Sequence, residues 1–317
     1  MHTSCVPQAP AATNPKRPLV DSLLDVSVRE GSQQEIDLLH ADIHTKIEVA
    51  LQSVRIGVKQ IEVTAFAPGS WFSDADQLSL TTSAQIPDDV LLRALYFNNR
   101  GLHQLLTHPR IAREGIFHTA ATSRYRTINY GQPSIENTLS RMEGFIAAFK
   151  EQGLSFDTLC VSTVWGEQEE PVSVSAVVDF IRTLRELADS RGLPIRSVAL
   201  ADTVANATPE TIDRLIRAIR CDWPGVILRA HLHPPHELAR ECVEAAFEAG
   251  VDEWEASWGG MGGSPNATPA GGNLDIRWLV RVYQDHHLEH GLCLEEIPRM
   301  IHYLERVTQR EIVKIAL

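Results

Sequence analysis

Eight short β-rich runs alternate with amphipathic stretches along this chain, and that alternation limits the folds open to it more than any other feature. The runs are Val20–Val26, Gln60–Ala65, Leu91–Phe97, Ile116–Ala120, Thr158–Val164, Ser197–Ala201, Val226–Leu232 and Glu253–Ser257. Helical periodicity occupies the stretches between them, as in Glu35–Ile56, Ile135–Glu151, Val174–Ser190, Pro209–Ala218 and Glu237–Ala249. Thr208 before Pro209 and Glu210 reads as an N-cap, an N1 proline and a first-turn acid, and Ser134 plays the same part before Ile135. Strict βα alternation, eight times over, predicts an α/β fold of the (β/α)8 TIM-barrel type. The competing architecture is an open doubly wound sheet, disfavoured because no GxGxxG follows the first run. From Ile276 onward the pattern is helical with no further strand, which predicts extra C-terminal helices.

The composition narrows the function classes. A formal charge of −12 over 317 residues, with no Lys/Arg cluster, argues against a nucleic-acid surface. No apolar run reaches the length of a membrane span. The five cysteines form no CxxC pair, which fits a reducing cytoplasm. Residues 1–17 are polar and Pro/Ala-rich and read as a disordered leader, leaving 18–317 as a single catalytic domain with its helical tail.

In a barrel of this kind, functional residues are expected at the carboxyl ends of strands. The polar residues collect there: Arg29 and Glu30, Glu62 and Thr64, Asn98 and Asn99, Asp202 and Thr203, then His231 and His233. His231 and His233 are two apart, so on a strand their imidazoles share one face. They are either half of a divalent-metal site or two partly exposed histidines at a strand end. Arg29-Glu30 reads either as a surface ion pair or as a carboxylate ligand beside a cation able to stabilise an enolate oxygen. Arg124, Tyr125 and Arg126 could receive an anionic substrate or form an exposed basic turn. His286, His287 and His290 read as a solvated face.

Five motifs in order resemble the metal-dependent Claisen and retro-Claisen barrel enzymes, and within them the 3-hydroxy-3-methylglutaryl-CoA lyases. They are Asp25-Val-Ser-Val-Arg29-Glu30-Gly31-Ser-Gln33, Ile61-Glu62-Val63-Thr64-Ala65-Phe66, Ala201-Asp202-Thr203-Val204 followed by Thr208-Pro209, His231-x-His233, and Gly260-Met261-Gly262-Gly263-Ser264-Pro265-Asn266-Ala267 with Gly272-Asn273. The resemblance spans roughly Asp21 to Glu296. It implies a divalent metal held by Glu30, His231, His233 and Asn273, with Mg or Mn suited to that donor set and Zn or Co acceptable to its imidazoles. It implies catalytic roles for Arg29, Glu62, Asp202 and Ser264. It further implies a small-molecule substrate, an acyl-CoA or a hydroxy or oxo acid, and a homodimer.

The chain departs from the lyase pattern at three positions. The ligand Asp is Glu30, as in the homocitrate synthase branch; the loop cysteine is Ser264; and the acid after the second histidine is Pro234. A serine hydroxyl is a far weaker acid than a thiol. The rim segment Trp165-Gly166-Glu167 also differs from the lyases. The strand-eight loop, rich in glycine and suited to a mobile lid, lacks the Glu-Arg of the condensing enzymes. The expectation is therefore a retro-Claisen carbon–carbon lyase acting on a 3-hydroxyacyl thioester or related acid. The alternatives are a condensing acyltransferase and a catalytically silent barrel.

Overall fold

The computed structural model describes residues 17–31, 33, 42–67, 85–263 and 272–317. Its eight strands are β1 (Leu23–Asp25), β2 (Gln60–Phe66), β3 (Leu91–Tyr96), β4 (Gly115–Ala120), β5 (Phe156–Ser162), β6 (Ile195–Ala201), β7 (Ile227–His231) and β8 (Glu253–Ala256). All pair in parallel, in the order β3-β2-β1-β8-β7-β6-β5-β4. Parallel neighbours need crossovers, and helices supply them: α1 (Ile43–Ile56), α2 (Asn99–Leu106), α3 (Ser123–Tyr130), α4 (Ile135–Glu151), α5 (Val174–Ser190), α6 (Pro209–Asp222) and α7 (Ala239–Ala249). Helices α8 (Ile276–Asp285) and α9 (Ile297–Thr308) complete the tail. This is a (β/α)8 barrel, as the alternation predicts. Among the described residues no helix is long and apolar enough to cross a membrane.

The ladder is open at one seam, between β3 and β4. Tyr96 closes it with a side chain: its hydroxyl accepts from Ile116 N at 2.6 Å and donates to Glu114 O at 2.8 Å. Arg93 on β3 pairs with Glu114 at 3.2 Å across the same gap. The phenol and the ion pair thus satisfy polar groups that a regular ladder would have satisfied.

Two predicted helices keep their bounds, Ile135–Glu151 and Val174–Ser190. Ser134 caps the first through Asn137 N, and Thr208 forms a capping box with Thr211 at the start of α6. The predicted first strand is too long. Leu19–Ser22 make one helical turn, and β1 is three residues, all buried. Over so few residues, periodicity cannot distinguish a strand from a helical turn feeding it. The Glu35–Ile56 helix begins at Ile43, behind an Asp42 cap that accepts from Thr45 N; residues 35–41 lie outside the described set.

Candidate active site

Arg29 and Glu30 do not sit on a strand. They lie in a single π-helical turn, Ser27–Gly31, directly after β1 and entirely buried. Such turns recur at functional sites because the extra residue re-aims side chains. Asp25 anchors this one. It accepts from Ser27 N at 2.8 Å and also from the Ser27 and Ser53 hydroxyls, while Ser27 Oγ accepts from Trp258 N at 2.8 Å. The turn is therefore fastened to α1 and to the end of β8, and its two charged side chains face the barrel mouth.

Glu30 meets both histidines there. His231 Nε2 is 3.6 Å and His233 Nε2 4.0 Å from Glu30 Oε1, and the two imidazole Nε2 atoms are 3.0 Å apart. One donor atom from each of Glu30, His231 and His233 lies within 4.8 Å of the others, a spacing suited to one ion. Asn273 is buried beside them. Its amide nitrogen donates to Met261 O at 2.8 Å, which leaves its Oδ1 buried with no partner. An orphaned carbonyl oxygen is costly unless something such as a cation takes it. Gly262, at φ +89°, makes room: a Cβ there would stand 2.6 Å from Asn273 Nδ2 and 2.9 Å from the Glu30 carbonyl carbon. Glu30, His231 and His233 thus fit a divalent metal by spacing and donor chemistry, and Asn273 holds an unused oxygen on the neighbouring segment.

The register sets what lies behind the histidines. On paired strands β7 and β8, Arg229 stands opposite Glu253 and His231 opposite Glu255. His231 Nδ1 is 2.9 Å from Glu255 Oε2; Arg229 reaches Glu255 at 3.3 Å and Glu253 at 2.7 Å. His233 Nδ1 instead meets Gly272 O at 3.2 Å, on the segment that carries Asn273. Glu255 escaped the sequence reading. Its signal is the alternation Glu253-Trp254-Glu255-Ala256, which places two acids on one face of a strand whose other face, Trp254 and Ala256, is buried.

Charge is arranged in pairs. Arg29 contacts Glu62 through Nε and Glu30 at 3.0 Å through Nη2. Burial works against the guanidinium charge, but Glu62 and Glu30 outweigh it and keep Arg29 firmly cationic. Burial likewise opposes ionisation of Glu30, yet His231 and Arg29 hold its carboxyl well below the usual range. His231 suffers the same burial, but Glu30 and Glu255 hold its imidazole up at about 10, whereas burial and the charge on His231 bring His233 down to about 4. Burial pushes Asp202 up to about 7 even though Asn206 N and Ala207 N donate to it at 2.8 and 3.0 Å; its Oδ2 has no partner.

A cavity of about 170 Å³ opens at this end of the barrel. Arg29, Glu30, Glu62, His231 and His233 line it; Asp202 and Asn273 are buried and do not line it. Ser264 lies outside the described residues. Trp165, expected at the rim, does not line the cavity; its indole donates to Thr211 O at 3.2 Å. The Arg124–Arg126 turn is not an open basic patch. Arg124 pairs with Glu167 at 3.3 Å and Glu169 at 3.1 Å, while Arg126 caps the carbonyls of Ala120, Ala121 and Gln132. Only Tyr125 of the three faces the cavity.

Comparison with known proteins agrees with this geometry. The HMGL-like family model matches residues 22–303. The cytoplasmic 3-hydroxy-3-methylglutaryl-CoA lyase of Danio rerio is 26% identical over 283 residues, covering 89% of this chain and 79% of the relative. The (R)-citramalyl-CoA lyase of Chloroflexus aurantiacus is 25% identical over 291 residues, covering 87% of each. The crystal structure of the Brucella melitensis HMG-CoA lyase superimposes with a TM-score of 0.77 at 24% identity, over 91% of this chain and 99% of that one. With nine-tenths of its length matched by the family model, and with a metal-competent cluster at the strand ends, this chain belongs to the HMGL-like family.

Proposed function

We propose that this protein is a divalent-metal-dependent carbon–carbon lyase that performs retro-Claisen cleavage of a 3-hydroxyacyl thioester or a related 3-hydroxy acid. The carrying observation is the Glu30–His231–His233 cluster beside the Arg29–Glu62 pair, in a chain whose curated relatives are named as lyases of hydroxyacyl-CoA esters. Glu30, His231, His233 and the Asn273 oxygen are assigned as ligands, and Mg or Mn as the metal. When bound, such an ion polarises substrate oxygens as a Lewis acid.

The chain's own groups account for the rest. Cleavage removes the proton of the C3 hydroxyl, breaks the C2–C3 bond, and leaves the electron pair on the thioester as an enolate that is then protonated. The fixed charge of Arg29 stabilises the enolate oxygen as it develops, and Glu62 holds the guanidinium in place beforehand, so no reorganisation is needed at the moment of reaction. Asp202 Oδ2, buried without a partner next to the cavity-lining Thr203, is assigned to relaying the departing hydroxyl proton. Ser264 stands where the lyases carry a cysteine, and final protonation at that position is correspondingly weak.

The test is acetyl-CoA release from a panel of 3-hydroxyacyl-CoA thioesters with Mg or Mn. Activity that vanishes with EDTA and returns on adding metal back is the expected result. Turnover that is indifferent to chelation, or acetyl-CoA consumption with a 2-oxo acid in place of cleavage, would refute the reading.

A further inference from the structure

One wall of the cavity is uncharged and aromatic. Phe97, His118, Tyr125 and Tyr130 form a continuous cluster, with Phe97–His118 centroids 5.0 Å apart, Phe97–Tyr130 5.8 Å and Tyr125–Tyr130 5.8 Å, and all four line the cavity. Burial raises both tyrosine hydroxyls and the neighbouring Cys160 thiol far above neutrality and lowers His118 to about 4, so nothing here is ionised at neutral pH. Tyr130 hydrogen-bonds Ser162 at 2.8 Å. His118 is different. Its Nε2 is buried and has no partner, on a ring that faces the cavity.

Among the described residues, no spare arginine or lysine lines the cavity. The described arginines lining the cavity are Arg29, Arg93 and Arg229, and each already meets a carboxylate: Arg29 with Glu62 and Glu30, Arg93 with Glu114, Arg229 with Glu253 and Glu255. Arg93 keeps one unpartnered N–H, its Nε, but its charge is matched by Glu114. Outside the described residues, the segments 34–41, 68–84 and 264–271 contain no lysine or arginine, and 1–16 holds a single one, Lys16. A carboxylate pressed against this wall would lose its hydration without gaining a counter-charge, which is strongly unfavourable.

We propose that the substrate arm on C3 that lies against this wall is uncharged and apolar, aryl-sized, with its polar tip, where it has one, a hydroxyl met by His118 Nε2. A hydroxyl both donates and accepts, so it suits either tautomer of the ring. The proposal rests on the lyase reading and names its substrate class.

Three CoA thioesters that differ only in this arm test it: 3-hydroxy-3-methylglutaryl-CoA, with a carboxymethyl arm; 3-hydroxy-3-phenylbutanoyl-CoA; and its 4-hydroxyphenyl analogue. With Mn-loaded protein, kcat/KM for acetyl-CoA release should favour both aryl arms over the carboxymethyl arm by about tenfold or more. His118→Phe should erase the preference for 4-hydroxyphenyl over phenyl, read as the ratio of the two kcat/KM values. A carboxymethyl arm cleaved as well as the aryl arms would overturn the proposal and leave the lyase reading standing. Cleavage of none of the three would overturn the lyase reading itself. The wall is then judged by equilibrium binding of acetophenone, 4-hydroxyacetophenone and acetoacetate to the same protein. Tighter binding of the aryl ketones supports the uncharged arm, and acetoacetate bound equally well refutes it.

Discussion

His231 Nδ1 lies 2.9 Å from a carboxylate oxygen of Glu255, which itself is held by Arg229 from below. One ring nitrogen is thereby committed to the barrel wall and the other, Nε2, is left facing Glu30 and His233. Carboxylates in this position fix the orientation of a metal-binding histidine and raise its basicity.

Glu255→Gln should therefore weaken Mn binding by about 10- to 100-fold while the barrel stays folded. Calorimetric titration of the metal-free protein with Mn measures it, with circular dichroism as the folding control. An unchanged Mn affinity in this variant would remove Glu255 from the site.

His233→Ala should abolish stoichiometric metal occupancy. Asn273→Ala should lower affinity more mildly, since Asn273 contributes one neutral oxygen. Elemental analysis after chelation and refilling should find about one ion per chain in the parent, as a single cluster of ligands requires, and close to none in His233→Ala. Full occupancy in His233→Ala would refute the ligand assignment.

Asp25→Ala should destabilise the protein by about 2–4 kcal/mol, since it strips a buried acceptor from several donors at once. The urea midpoint should fall. Because the π-helical turn carries Arg29 and Glu30, metal affinity should fall with it. A variant of parental stability would show that the turn does not depend on this anchor.

His118 predicts a pH dependence of stability. Burial lowers its pKa from 6.5 to about 4 in the native protein. Above 6.5 the ring is neutral in both states and contributes no pH dependence. Between 6.5 and about 4 the unfolded chain takes up a proton that the native state refuses, so stability falls with pH, at about 1.36 kcal/mol per unit for one proton. Replacing the ring by His118→Gln should flatten the stability profile by one proton over that window, measured by urea unfolding with EDTA present. Parallel profiles for parent and variant would mean that His118 protonates freely in the native state.

Cleavage of 3-hydroxy-3-methylglutaryl-CoA itself should be slow, well below about 10 per second, because a serine replaces the loop cysteine. Ser264→Cys should raise it by roughly 10²-fold, a usual contribution of a placed general acid. Parental turnover at the rate of an ordinary enzyme would contradict this. No gain in the variant would place the limit in the aromatic wall instead.

Much of this protein is legible in its sequence. Period-two spacing puts His231 and His233 on one face, the βα alternation dictates a parallel barrel, and the barrel brings Glu30, Glu62 and the histidines to one mouth although they lie far apart in the chain. Those features are local, or follow from a fold that local patterns specify. The sequence does not say that Arg29 and Glu30 ride a π-helical turn, because five residues are too few for any periodicity to declare one. Nor does it say that Glu255 backs His231, that Tyr96 closes the β3–β4 seam, or that Arg29, Arg93 and Arg229 in the cavity are each matched by a glutamate. Those contacts join residues on different strands. Which charge meets which is set by strand register and by closure of the barrel, and both exist only once the whole chain has packed.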